Sequence, residues 1–143
     1  MNHTFQGRRR TALTLAATTA FLTLAAGAAQ AAEPGELLPY PGPDGVIWVP
    51  ERTGSSGFVS GGLSPHLDTY TTFACEGGGS MVVSFTLDEH PDRNPAPFTL
   101  DCPADTPARV TIPLGTGLHG GFGAVVTTST PTLRWAAVVV QPE

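Results

Sequence analysis

The chain has 143 residues, seven of them arginine and none lysine, against twelve carboxylates, for a formal charge of −5. That length suits one domain rather than several. Its negative balance makes the phosphates of nucleic acid and anionic membrane surfaces poor partners.

Residues 1–31 read as a cleaved export signal. Arg8, Arg9 and Arg10 precede an apolar run from Thr11 to Gly27, and Ala29-Gln30-Ala31 has the small-x-small spacing that signal peptidase cuts. The apolar core is short for a membrane anchor, and no second span follows. Arg9-Arg10 with Leu13 fits the twin-arginine route, and general secretion fits as well. No cysteine stands at the cleavage site to carry a lipid. The expected product is secreted and extracellular. It keeps four arginines (Arg52, Arg93, Arg109, Arg134) and all twelve carboxylates, a charge of −8. Missing lysine beside abundant Ala, Gly, Pro and Arg suggests the codon usage of a GC-rich bacterial genome.

Cys75 and Cys102 are the only cysteines. In an exported chain they are expected to form one disulfide. Closing that loop of 28 residues, both ends counted, stabilises by roughly 3.5 kcal/mol in the chain-entropy model. Cys-x-x-Cys spacing is absent, which argues against a metal or redox pair.

Residues 32–45 hold four prolines and three glycines and read as an extended arm. The arm is either a linker left by cleavage or a docking peptide that displays Leu37, Leu38 and Tyr40. Residues 46–143 alternate with period two between turn signals. Strands are expected at Val46 to Val49, stopped by Pro50, and, weakly, at Ser56 to Ser60. Thr69 to Cys75 and Ser80 to Leu87 follow, joined by a loose hairpin turn at Glu76-Gly77-Gly78-Gly79. Phe98, Leu100 and Cys102 alternate inward, as do Val110, Ile112 and Leu114, then Phe122, Ala124 and Val126. The last strand carries Leu133, Trp135, Ala137 and Val139 on one face. Arg134, Ala136, Val138 and Val140 make its other face apolar too, which marks a central strand or one covered by the arm. Trp135 is expected in the core near the disulfide. Arg134 is expected to tolerate alanine if its face is merely covered at the rim. The pattern gives an all-β domain: one antiparallel β-sandwich of about seven strands, immunoglobulin-like or Greek-key, with little or no helix.

Candidate sites are sparse. Asp88, Asp92 and Asn94 place hard oxygen ligands on one acidic loop, the donor type that calcium takes. They lack the EF-hand spacing, and a solvated hairpin tip accounts for them as well. His66, His90 and His119 sit in three loops without zinc-motif spacing. Ser55, Ser64, Ser80 and Ser129 have no nucleophile-elbow context. No catalytic residue and no cofactor motif is identified. Tyr40 and Trp48 are weak ligand-binding candidates, because exposed aromatic side chains bind sugars and apolar partners.

Phe73-x-Cys75-x-Gly77-x-Gly79, then Phe98 with Asp101-Cys102-Pro103, then Arg134-Trp135 before a valine run, resembles a group of uncharacterised secreted or lipoprotein β-sandwich domains from actinobacteria. The resemblance spans Tyr70 to Val140, implies the sandwich fold, and carries no activity. This chain lacks the lipidation cysteine of the anchored members. Size and acidity are also similar to small all-β chromophore-binding apoproteins, which have two disulfides where this chain can form one. The functional expectation is a secreted, non-catalytic module that binds a protein or glycan outside the cytoplasm. The alternative is an exported inhibitor of a secreted hydrolase, presenting Pro91 to Pro97. A small-ligand carrier or an enzyme without a recognisable motif comes third.

Overall fold

The computed structural model describes residues 35–143, and the expected export signal lies outside them. Eight strands form: β1 (Gly45–Thr53), β2 (Ser56–Ser60), β3 (Thr69–Glu76), β4 (Ser80–Leu87), β5 (Phe98–Asp101), β6 (Ala108–Gly115), β7 (Phe122–Thr128) and β8 (Arg134–Val140). Two single 3₁₀ turns, Gly42–Asp44 and Pro91–Arg93, are the only helical elements among the described residues. β1 does not stop at Pro50. Its pairing with β8 shifts register between Val49 and Arg52, on an edge strand where a missing N–H breaks little of the ladder.

The strands make two four-stranded antiparallel sheets, ordered β1-β8-β3-β6 and β2-β7-β4-β5. The sandwich is therefore as expected, with eight strands rather than about seven. The pairs β1·β8, β2·β7, β3·β6 and β4·β5 are the rungs of one long hairpin wound on itself. This is the double Greek key of a jelly roll, not the strand order of an immunoglobulin domain.

The expected hairpin between β3 and β4 also fails. β3 and β4 lie in different sheets, so Gly77-Gly78-Gly79 is a corner between layers and not a hairpin turn. The three glycines have φ of 114°, 83° and 107°, a region that side chains disfavour. Gly77 and Gly78 donate to the Pro103 carbonyl at 2.9 and 3.3 Å, and Cys102 N donates to Gly79 O at 2.8 Å. The corner thus draws the end of β5 alongside the end of β3. Cys75 and Cys102 meet there, with Cα atoms 5.3 Å apart, in a disulfide that joins the two sheets.

Between the sheets the inward phases of all eight strands interlock. Phe58, Phe73, Phe85, Phe98 and Phe122 form a chain of ring contacts with centroids 5.9 to 6.2 Å apart. Trp135 is fully buried beside Cys75, its direct partner across β8 and β3. The indole N–H donates to Gly54 O at 2.9 Å in the β1–β2 turn. At the far end of β8 the buried Gln141 amide exchanges bonds of 2.9 and 3.0 Å with the Ser64 backbone. It also donates to Thr69 Oγ1 at 2.9 Å. The loop between β2 and β3 is pinned by a side chain that behaves as one more strand residue.

The arm is neither a free linker nor a displayed peptide. Leu37 and Leu38 are buried against Ala74, Ala136 and Val138, on the outer face of β3 and β8. The two alanines leave a trough that larger residues would close. The arm's carbonyls are held in turn: Gly35 O by Arg134, Leu37 O by Arg109 and Leu38 O by the Trp48 indole. Arg134 also forms a two-bond pair with Glu51 at 2.7 Å and reaches Glu76 at 3.4 Å. It is a junction of arm, β1 and β3, so its face is not merely covered at the rim. The Arg134 hydrogen bonds hold the Glu51 carboxyl below its ordinary range, against a smaller opposing desolvation.

Two outcomes follow from this packing. Trp135→Ala is expected to cost about 3–5 kcal/mol in a denaturant titration, from lost transfer energy and the cavity left behind; wild-type stability would place the indole outside the core. Glu51→Gln is expected to cost no more than about 1 kcal/mol at neutral pH, since the pair is partly solvated. A lowered folded pKa contributes stability above the unfolded value that is lost as pH falls through the folded value. The difference from wild type should therefore shrink on acidification below the ordinary carboxylate range, read by thermal melts across pH.

Candidate binding face

The side chains with catalytic or metal-binding chemistry are mostly engaged in local structure. Ser55 Oγ accepts from Thr128 N and Ser129 Oγ from Ser80 N, both at 2.9 Å. Among the described residues no serine hydroxyl is hydrogen-bonded to a histidine. His90 and His119 stack edge to face with centroids 4.5 Å apart, and His66 takes no part in that contact. Among the described residues no group of three His, Cys, Asp or Glu is arranged to hold a metal.

The acidic loop is the tip of the long hairpin, between β4 and β5. Asn94 Oδ1 accepts from Leu87 N at 2.7 Å, and Arg93 donates to Leu114 O and Thr116 O at 3.4 and 2.9 Å. The Asn94 oxygen that was a candidate calcium ligand thus closes the loop onto the end of β4. Asp88 and Asp92 are exposed.

Tyr40 and Trp48 come together, ring centroids 5.2 Å apart and edge to face, on the outer face of the β1-β8-β3-β6 sheet. They are 54% and 37% exposed. The Trp48 indole N–H, however, is already given to the arm carbonyl of Leu38. The pair closes the arm onto its own sheet, with Tyr40 the more exposed of the two rings.

The open surface lies on the other sheet. Val59 on β2, Val125 on β7 and Val82 on β4 are 88%, 56% and 40% exposed. Cross-strand register sets them in rows: Val59 with Gly123 and Thr86, Val125 with Gly57 and Ser84, Val82 with Thr127 and Thr99. The face is therefore small, β-branched and hydroxyl-bearing, with carboxylates only at its ends (Asp88, Asp101) and no arginine. At Gly123 the missing side chain opens a depression of about 120 Å³, lined by Val59, Ser60, Thr86, Asp88 and Val125 over the backbone of Phe122 to Ala124. Strand periodicity carries the signal for this surface. The phase that buries Met81, Val83 and Val126 sends Val82 and Val125 outward. Gly123 and Val59 become meaningful only once β2 is paired with β7.

The chain matches no protein-family model and no curated protein. No helix among the described residues is long and apolar enough to cross a membrane.

Asn94→Ala removes the bond to Leu87 N and is expected to destabilise by about 1 kcal/mol. The loss should be the same with and without millimolar calcium, and calcium should move the wild-type melting temperature by less than about 2 °C. A saturable rise with calcium that Asp92→Ala abolishes would instead make the loop a cation site.

Proposed function

We propose that the protein is a secreted, non-catalytic binding module that docks a protein partner through the outer face of the β2-β7-β4-β5 sheet. The observation that carries this reading is the difference between the two outer faces. On one, Leu37 and Leu38 of the chain's own arm cover the two central strands β3 and β8; the other leaves three valines bare. Val59, Val125 and Val82 lie diagonally on three neighbouring strands of one face, and apolar side chains left bare on one sheet face support an interaction surface. The interior supports the same reading, because phenylalanines fill the space between the sheets and a ligand must be met outside.

Charge indicates the partner's chemistry. The described residues carry eleven carboxylate side chains and four arginines. Three of those arginines (Arg93, Arg109 and Arg134) are turned onto groups of the same chain. The field presented outward is therefore negative, and it favours a basic protein surface while repelling acidic ones. The export signal and the disulfide support a site outside the cytoplasm.

A second reading, an exported hydrolase inhibitor, is favoured by the bracing of the Pro91 to Pro97 segment. Asn94 and Arg93 hold that exposed loop at its base, and inhibitory loops depend on such preorganisation.

Photo-crosslinking separates the readings. A photoreactive residue is placed at Val125, at Asp92 or at Thr111 on the opposite sheet, and the protein is exposed to the extracellular proteins of the producing culture. One adduct formed from position 125 alone is the expected result. An adduct with a hydrolase from position 92 alone favours the inhibitor. Equal labelling from positions 125 and 111 overturns the face assignment.

A further inference from the structure

We propose that the depression over Gly123 is a receptor for one cationic aliphatic side chain, a lysine or arginine of the docking partner. The inference rests on the reading of this sheet face as the docking surface and specifies what it recognises. Size comes first. Sites for small molecules and cofactors enclose about 300–1,000 Å³, and this depression offers about 120 Å³, which suits a single side chain.

The lining joins valine side chains to Ser60 and Thr86 and carries one carboxylate. Val59 and Val125 flank Gly123, and Thr86 lies across from Val59 in the same row. Gly123 is not in the left-handed region, so its backbone conformation does not call for glycine. A Cβ there would instead come within 3.1 Å of both Val59 Cγ1 and Phe58 O, and would occupy the floor.

Asp88 is the one charged group in the lining. Its backbone N–H donates to Gly121 O at 3.1 Å, which fixes the residue at the mouth of the depression. The carboxylate lies against Gly121, where a Cβ would collide with Oδ2. Among the described residues that carboxylate has no hydrogen bond and no ion pair. Arg93, only five residues along the chain, is directed to Leu114 O and Thr116 O instead. An apolar side chain seated here would strip water from an unpaired carboxylate, and an acidic one would be repelled. A cation on a methylene stem satisfies both parts: the stem covers Gly123 between the valines, and the charge meets Asp88.

The test is amide NMR of the intact, disulfide-bonded chain titrated with n-butylammonium, n-butylguanidinium, n-butanol and butyrate at equal ionic strength. The two cations should give saturable shifts at Gly121, Gly123 and Val125 with millimolar dissociation constants. Butanol should bind at least tenfold more weakly, and butyrate not at all. Asp88→Asn, a change at an exposed position, should weaken the cations at least fivefold while leaving the remaining spectrum in place. Gly123→Ala should abolish binding by filling the floor, and its dispersed spectrum reports that the variant has folded. The proposal is overturned if butanol binds as well as the cations, if no shift saturates, or if Asp88→Asn binds like wild type. Should crosslinking at Val125 capture a partner while the cations fail to bind, the docking face stands and only the recognition of a cation is lost. Should the cations bind while position 125 captures nothing, the receptor is real and the docking reading fails.

Discussion

Cys75 and Trp135 face each other across β3 and β8, and the rest of the sandwich is arranged around that pair. From Cys75 the disulfide crosses to the end of β5, and from Trp135 the indole N–H reaches the turn between β1 and β2. One tie joins the two sheets at a point where the chain turns a corner. The other joins the central strand to the edge, where β1 passes its chain to the opposite layer. Nearly every connection in a wound hairpin changes sheet, so side-chain ties between layers do work that local turns cannot. The buried indole also supplies the largest side chain in the core, and its hydrogen bond leaves no polar atom of that side chain unsatisfied.

A sandwich has four sheet faces, and packing two of them together leaves two for solvent. Here those two are treated differently. Alanines at positions 74 and 136 shape a trough on one outer face, and the arm fills it with two leucines while Arg109, Arg134 and Trp48 bind its carbonyls. The central strand β8 is thereby covered on both sides, as its double apolar phase requires. Among the described residues no such strap crosses the other sheet. Its outer rows, among the described residues, are Ser, Thr, Gly and exposed Val, with Asp101 at one end and no arginine.

Electrostatics follow the same division. Arg134 collects Glu51, Glu76 and the arm into one junction, and Arg93 locks the hairpin tip. Positive charge is thus used internally, while most carboxylates face water. The consequence is an acidic surface on which one of several carboxylates without an ion pair, Asp88, stands beside the hollow over Gly123. That combination distinguishes this end of the face from the neutral rows around Val82.

By itself the sequence determined the class of structure. Period-two alternation and turn residues account for the strands, the inward phases, the burial of Trp135 and the two-sided cover of the last strand. The two cysteines, alone and in matching phase, were enough for the disulfide. Local pattern does not carry which strand pairs with which. A glycine run between two strands reads alike whether the chain folds back in one sheet or crosses to the other, and only the long-range pairing of β3 with β6 and β4 with β5 decides it. The same holds for the arm, whose prolines signal extension while the trough that receives Leu37 is built from residues far along the chain. The binding face was half visible, since alternation already turns Val82 and Val125 outward. Tertiary structure alone set Val59, Gly123 and Asp88 around one hollow, because they lie on three separate segments that meet only after β2, β7 and β4 are laid side by side.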